Sequence, residues 1–411
     1  MGPAGRLSIL YVGSLPPARH GVAVMCGQLL EGLAAVGHRV RAITPVEGKV
    51  PSQGDRFIAA LQGVEVIGLP VAEVAPDHGW APDTYRALIG DGLRRIVDAQ
   101  VAVERPDIIV MGSTSMAEHL PRFAAPHALP SVVILHDGNV AAMLKGALPG
   151  GLHQSQRLLA GFRHADRLVA VAPHVAESAR GLGIEGVRVI ENPVDVHRFA
   201  PRPKDRDLME QLGIEPDALV VAHVSNLGPS KRPLDVVLAA ERALCVEPRL
   251  LGLILGDGPL REQMEEAAAE RGIGGRFRFT GWLDHAAIPR YLSLADVVVM
   301  PSEFEGRSLV YLEAQACGRV LLASDIPSAR EVVVDGKTGL LFRTGDVAHL
   351  AARLLEILSD VRLREKIVRQ ARRVAERYAL EGAVAAYEAL FRDIVSRHPP
   401  EAGAMAVHHH A

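Results

Sequence analysis

Short apolar runs alternate with longer segments of helical spacing along most of the chain. In the first half the runs are Leu7–Val12, Val40–Thr44, Val64–Leu69, Asp107–Met111, Ser131–Leu135, Arg167–Val171 and Val187–Ile190. Val22–Val36, Thr84–Glu104 and Val175–Leu182 lie between them with apolar residues at helical intervals. The runs are Val-, Ile- and Leu-rich on both faces, as parallel strands covered on both sides must be. The alternation predicts βα units feeding an open parallel sheet. It pauses at Glu191–Asp207, where ENPVDVHRFAPRPKDRD carries three prolines and no apolar period, and this reads as an interdomain linker. It then restarts with runs at Leu219–His223, Leu250–Leu255, Arg276–Thr280, Asp296–Met300, Arg319–Ala323 and Leu340–Phe342. Helical patterns at Leu234–Cys245, Leu260–Arg271, Leu309–Cys317 and Val347–Leu358 separate them.

The pattern thus predicts an α/β protein of two doubly wound, parallel-sheet, Rossmann-like domains facing a central cleft. The boundaries expected are 1–195 for the first domain and 196–376 for the second. An amphipathic tail runs from Asp360 to Arg397, with Ile367, Ala371, Val374 and Tyr378 on one face. Its segment 377–398 is expected to pack back on the first domain, and 399–411 reads as a disordered end. His408–His410 there read as an incidental run rather than a metal site. A length of 411 residues suits two domains, and 48% hydrophobic residues suffice for two cores.

Charge narrows the partners. Lys and Arg number 45 against 48 Asp and Glu, a balance unlike that of a nucleic-acid binder. At 4% aromatic residues, a sugar-binding surface of stacked rings is not expected. Cys26, Cys245 and Cys317 fit neither a zinc spacing nor a disulfide framework. That suggests a reducing, cytoplasmic compartment. The first apolar run is broken at once by Pro16 and Pro17, so no signal peptide is read there. No run reaches the length of a membrane span, while a peripheral membrane contact and the oligomeric state stay open.

Open α/β sheets bind ligands beyond the carboxyl ends of their strands, so the chemistry is sought in the loops that follow strands. Gly13-Ser14-Leu15-Pro16-Pro17 after the first strand is not a dinucleotide fingerprint. Gly256-Asp257-Gly258 lacks a third glycine, and Gly336-Lys337-Thr338 lacks the upstream glycine of a P-loop. Glu305-Gly306-Arg307-Ser308-Leu309-Val310-Tyr311-Leu312-Glu313 is more informative. One carboxylate stands in the loop and the other in the first turns of a helix. Between them the free N–H groups of Arg307, Ser308, Leu309 and Val310 open that helix and favour an anion. This order suits the sugar hydroxyls, diphosphate and ribose of a nucleotide sugar. A solvated loop glutamate beside an ordinary helix glutamate would show the same spacing. Ser225-Asn226-Leu227-Gly228-Pro229-Ser230-Lys231-Arg232 follows the first strand of the second domain and places Lys231 where it can neutralise a diphosphate. His136 ends a first-domain strand within reach of a sugar or a reacting centre, a structural histidine being the alternative. Gly21, after Arg19-His20, lets backbone approach a ligand. Asn192-Pro193-Val194-Asp195 reads as a candidate site or simply a turn.

In this order the loops resemble those of the family-4 retaining glycosyltransferases of the GT-B fold, over nearly the whole chain. Glu305 to Glu313 is similar to that family's pair of glutamates eight apart, continued by Ala314-Gln315-Ala316-Cys317-Gly318. Asn192-Pro-Val-Asp195 with Phe199 and Pro201 resembles its hinge. Gly256-Asp-Gly-Pro259, Phe279-Thr-Gly281 and Asp335-Gly-Lys-Thr-Gly339 are similar to further family motifs. The resemblance implies that Glu313 holds the ribose and that Glu305 and the amides after Gly306 meet the donor sugar and phosphates. It further implies that Lys231 braces the diphosphate, that His136 contacts the sugar near its anomeric carbon, and that Gly21 lets the first-domain loop close. Thr280 and Gly281 fall near the base.

Several positions depart from the family pattern. Ser225-Asn226-Leu227 replaces the usual Gly-Arg-Leu and removes a cation, which Arg19 or Arg232 is a candidate to supply. The Ser-Asn sequence resembles the branch that transfers N-acetylglucosamine to malate. Arg307-Ser308 stands for Phe-Gly, and Ser328-Ala329 for the Gly-Gly before Glu331. The expected activity is transfer of a sugar from a nucleotide-diphosphate sugar to a small acceptor, by metal-independent front-face displacement with retention. UDP-N-acetylglucosamine and UDP-glucose are the donors considered. No cofactor, metal or nucleic acid is expected. His136, Glu305 and Lys231 are the candidate catalytic groups. Gly21, Asn226, Lys231, Thr280, Gly281, Glu305, Gly306, Arg307, Ser308, Leu309, Val310 and Glu313 are the candidate donor contacts. The alternatives are a phosphorylase or epimerase of the same fold, or a non-catalytic sugar-nucleotide sensor.

Overall fold

A computed structural model describes residues 5–16, 18, 20–47, 61–71, 83–136, 140, 145 and 151–398. The Pro399–Ala411 end, Arg19, Asp137 and Gly138 lie outside the described residues. Two parallel sheets organise the chain. The first has the strand order β3-β2-β1-β4-β5-β6-β7, with β1 at Ser8–Val12, β2 at Arg39–Glu47, β3 at Val64–Val71, β4 at Ile108–Met111, β5 at Ser131–Leu135, β6 at Arg167–Ala170 and β7 at Arg188–Val189. The second has the order β10-β9-β8-β11-β12-β13, with β8 at Leu219–Val224, β9 at Leu250–Leu255, β10 at Phe277–Phe279, β11 at Val297–Met300, β12 at Val320–Ser324 and β13 at Leu340–Phe342.

Ten helices of eight residues or more are seen among the described residues. They are α1 (Gly21–Ala35), α2 (Asp83–Val103), α3 (Gly151–His164), α4 (Pro173–Arg180), α5 (Leu234–Leu244), α6 (Arg261–Glu270), α7 (Leu309–Ala316), α8 (Val347–Ser359), α9 (Val361–Arg377) and α10 (Leu380–Ser396). The expected strands are all present, with ends shifted by a few residues. The largest shift is in β2, which runs on to Glu47 through Pro45. Proline is tolerated there because β1 has already ended opposite Ile43, leaving Pro45 paired only with Leu69 of β3. Helix α3 was not anticipated.

Two features of the connections lie beyond what the sequence pattern shows. The Glu191–Asp207 segment is not a featureless linker, since Val194 and Phe199 are buried in the second-domain core. The tail divides at Tyr378 and Ala379 into α9 and α10, close to the expected start of segment 377–398. At that break the chain crosses between the domains a second time, beside the first crossing. Val194 N–H donates to Tyr378 O at 2.8 Å, and Leu380 N–H to Val194 O at 3.1 Å.

Helix α10 lies on the first domain. Val384, Tyr387, Leu390, Phe391 and Ile394 share a core cluster with Met25, Leu29 and Leu33 of α1. Each fully buried aliphatic or aromatic side chain of this kind stabilises by about 1.5–3 kcal/mol relative to exposure. Gly32 permits the approach, because a Cβ there would sit 2.5 Å from Val384 Cγ2. Strand order reverses between β1 and β4 in the first sheet and between β8 and β11 in the second. Loops diverge at such points and leave a crevice. The loops after β8 and β11 are those that carry Lys231 and Glu305.

Candidate active site

The loop after β8 is shaped from beneath by a residue the sequence reading passed over. His223, fully buried in β8, donates from Nδ1 to Val299 O at 2.9 Å. Its Nε2 then accepts from Ser225 Oγ at 2.8 Å, and Ser225 Oγ in turn accepts from Leu227 N–H at 3.0 Å. Burial pushes the His223 imidazole down to about 4, so it keeps this neutral arrangement near neutral pH. The polar residue in the apolar run Leu219–Val224 was the available signal. Gly256, at φ +126°, packs against the same loop, and a Cβ there would lie 1.9 Å from Ser225 O.

Asn226 is exposed, and its side chain has no hydrogen bond among the described residues. Lys231 ends a 3-10 turn, and its Nζ donates to Glu305 Oε2 at 2.7 Å. The second Glu305 oxygen accepts from Ser302 Oγ at 2.8 Å. A backbone bond from Glu303 N–H to Ser230 O, 2.8 Å, ties the two loops together. Arg232 does not face this site as a free cation. Its guanidinium donates to both oxygens of Asp235, at 2.8 and 3.2 Å.

Helix α7 starts directly after the Glu305 loop. Its N-cap, Ser308, makes no side-chain capping bond, and its first turn holds no acidic residue. Its positive end is therefore left for an anion. Helix α1 starts opposite, also without an acid in its first turn; its N-cap His20 accepts from Ala23 N–H at 3.3 Å. A Cβ on Gly21 would lie 3.9 Å from Leu309 Cδ1, so the two helix starts nearly meet across the cleft.

Deeper in α7, Glu313 is buried and accepts from His285 Nε2 at 2.6 Å. The His285 ring rests on Phe199, with centroids 5.2 Å apart. His285 was not singled out in the sequence; it lies four residues beyond Gly281, in the loop read as lying near the base. Thr280 Oγ1 donates to Gly281 O at 2.9 Å, and Gly281 O also accepts from Gly256 N–H at 3.0 Å. Thr280, Gly281 and the Gly256 turn thus form one rigid edge beside the Ser225–Lys231 loop.

His136 ends β5 and is 7% exposed, with Nε2 3.7 Å from Cys26 Sγ. Burial pushes its imidazole down to about 3, with the neighbouring His20 adding to the effect. Burial likewise pushes the Cys26 thiol up to about 12. The pair is therefore a neutral imidazole beside a neutral thiol, not an activated nucleophile.

Arg307 differs most from what its position suggested. Its guanidinium is fully buried, donates to Glu331 Oε2 at 2.6 Å and to Glu191 Oε1 at 2.8 Å, and lies 4.7 Å from the Tyr378 ring centroid. Only the backbone of Arg307 faces the mouth of α7.

Known proteins are similar to this chain. The model for the glycosyl transferase 4-like domain matches residues 20–195, and that for glycosyl transferases group 1 matches 204–374. The glycogen synthase of Mycobacterium tuberculosis is 28% identical over 358 residues, covering 84% of each chain. The D-inositol 3-phosphate glycosyltransferase of Geodermatophilus obscurus is 32% identical over 291 residues, 65% of this chain and 63% of the relative. The fold matches that of HepE from Anabaena in complex with UDP, with a TM-score of 0.74 at 19% identity, over 94% of this chain and all of the other.

Proposed function

From the premise that this chain belongs to the glycosyltransferases built of a glycosyl transferase 4-like half and a glycosyl transferases group 1 half, we propose that it transfers a sugar from a nucleotide-diphosphate sugar, a UDP-sugar foremost, to a small acceptor with retention. The observation that carries this reading is the convergence of Lys231 and Glu305, 2.7 Å apart, with the uncapped start of α7 and the facing start of α1. HepE, crystallised with UDP, supports a uridine donor.

In this reading the diphosphate sits between the two helix starts and Lys231. The acceptor hydroxyl forms its new bond to the anomeric carbon on the face from which the nucleotide departs. The bond from that carbon to the diphosphate oxygen breaks, and the departing phosphate takes the acceptor's proton. Lys231 and the amides of 307–310 stabilise the charge that develops on the leaving group. Glu305 orients the sugar, and Glu313, braced by His285, holds the ribose. His136 offers a neutral hydrogen-bonding group from the first domain. Leu309, packed into the first-domain core cluster, helps exclude water from the reacting centre.

The charge stabilisation comes from a lysine and amides, so the proposed reaction is metal-independent. A thermal-shift series with UDP-, GDP- and ADP-sugars should give its largest stabilisation with a UDP-sugar. Turnover of that donor should stay within about twofold of the starting rate when a chelator is added. A larger shift with a GDP- or ADP-sugar overturns the uridine assignment. A large loss with chelator, restored by magnesium or manganese, overturns the metal-free mechanism.

A further inference from the structure

The loop that carries Glu305 is held from outside its own domain. His174, in the first-domain helix α4, donates from Nε2 to the backbone O of Glu305 at 3.1 Å. Asn192, on the first crossing between domains, donates from Nδ2 to the backbone O of Arg307 at 3.2 Å. Two carbonyls on either side of Gly306 thus depend on groups that belong to the first domain or the connection.

Glu331 joins these contacts. Its Oε1 accepts from His174 N–H at 3.0 Å and from the ring Nδ1 at 2.9 Å, while its Oε2 accepts from Arg307 at 2.6 Å. Both ring nitrogens of His174 face oxygen atoms, Nδ1 the Glu331 carboxylate and Nε2 the Glu305 carbonyl. Burial pushes the Glu331 carboxyl up, but the bonds from His174 and the Arg307 charge outweigh it and hold the carboxyl below its ordinary value. Arg307 reaches on to Glu191, just ahead of Asn192, and covers Tyr378, where the chain crosses back. One arginine therefore touches both crossings and the partner of the first-domain histidine.

We infer that His174, Glu331 and Arg307 are positioning residues that make the geometry of the Glu305 loop conditional on the docking of the two domains. When the domains dock, the loop gains hydrogen bonds on both sides of Gly306, and Glu305 meets Lys231 in the orientation seen here. When they separate, His174 and Glu331 part, both loop carbonyls lose their partners, and Glu305 is no longer aimed. Donor chemistry is thereby confined to the docked state, in which water is excluded. Arg307 is specific to this purpose: an apolar side chain at that position could bind neither Glu191 nor Glu331.

The inference rests on the glycosyltransferase reading only for its effect on rate, so its test has two arms. His174→Ala and Glu331→Gln are compared with wild type by hydrogen exchange, which needs no donor. Exchange of the amides of residues 303–309 is expected to accelerate at least about tenfold in each, with distant strands unchanged. In turnover with the best donor, kcat should fall about tenfold or more while the dissociation constant for UDP moves less than twofold. The double variant should lose little more than either single one, because both remove the same coupling. Unchanged exchange in 303–309, acceleration spread evenly over the chain, or normal kcat in a folded variant each overturns the inference. Absence of turnover in wild type with every donor counts against the proposed function, and the exchange arm still decides this one.

Discussion

Replacing Lys231 by alanine is expected to lower turnover by a factor of roughly 10²–10³, in line with the loss of a single preorganised donor to developing charge. Among the described residues, Lys231 is the one side-chain cation placed against Glu305, since Arg232 is paired with Asp235 and Asn226 stands where the family resemblance implies an arginine. Helix amides would then be what remains for the diphosphate among the described residues. The substitution also leaves the carboxylate of Glu305, a residue 9% exposed, with the Ser302 hydroxyl as its remaining partner among the described residues. Melting temperature is therefore measured on the same preparation, together with Lys231→Arg. A planar guanidinium on a longer stem does not place its charge where the compact ammonium sits, so the arginine variant should recover little activity. Turnover within threefold of wild type in a folded Lys231→Ala protein would remove Lys231 from the mechanism.

His136→Ala should cut turnover about 10²-fold while changing UDP affinity less than twofold, because the histidine belongs to the first domain and the proposed nucleotide site to the second. With its imidazole pushed down to about 3 by burial, His136 stays neutral throughout the working range. The sign follows from that. The neutral form is already complete above pH 5, so His136 contributes no rise or fall in rate between pH 5 and 8, where an ordinary histidine titrates. A rate profile with a histidine limb near pH 6.5 that vanishes in His136→Ala would contradict this. A variant that loses thermal stability yet turns over normally per folded molecule would make His136 a packing residue beside Cys26.

Much of the architecture was legible because parallel strands buried on both faces write themselves as unbroken Val/Ile/Leu runs. β5 and β9 were bounded without error for that reason. The loops at the switch points were legible because carboxylates, a lysine and glycines stand directly after such runs. What the chain hid was pairing across domains. His174 lies in an ordinary-looking helix, and its partner Glu331 follows 157 residues later. Arg307 looked like a pocket residue because its neighbours in sequence are; only the fold brings Glu191 and Tyr378 to its guanidinium. His223 left one signal, a polar residue inside an apolar run, and His285 left none; each acts by fixing a neighbour, Ser225 or Glu313. The tail's apolar spacing continues through Tyr378, so the turn there, set by pairing with Val194, was not visible in the spacing itself.

The central claim is that the second domain holds a uridine nucleotide through Glu313 at one end and Lys231 at the other. Calorimetric titration of UDP into wild type and Glu313→Ala tests it most directly. Glu313 is buried and braced at 2.6 Å by His285, so it is already in place to accept ribose hydroxyls. Losing charge-assisted hydrogen bonds worth roughly 1.5–3 kcal/mol should weaken UDP by about tenfold to a hundredfold. Equal UDP affinity in a folded Glu313→Ala protein, or no UDP binding by wild type, would contradict the account.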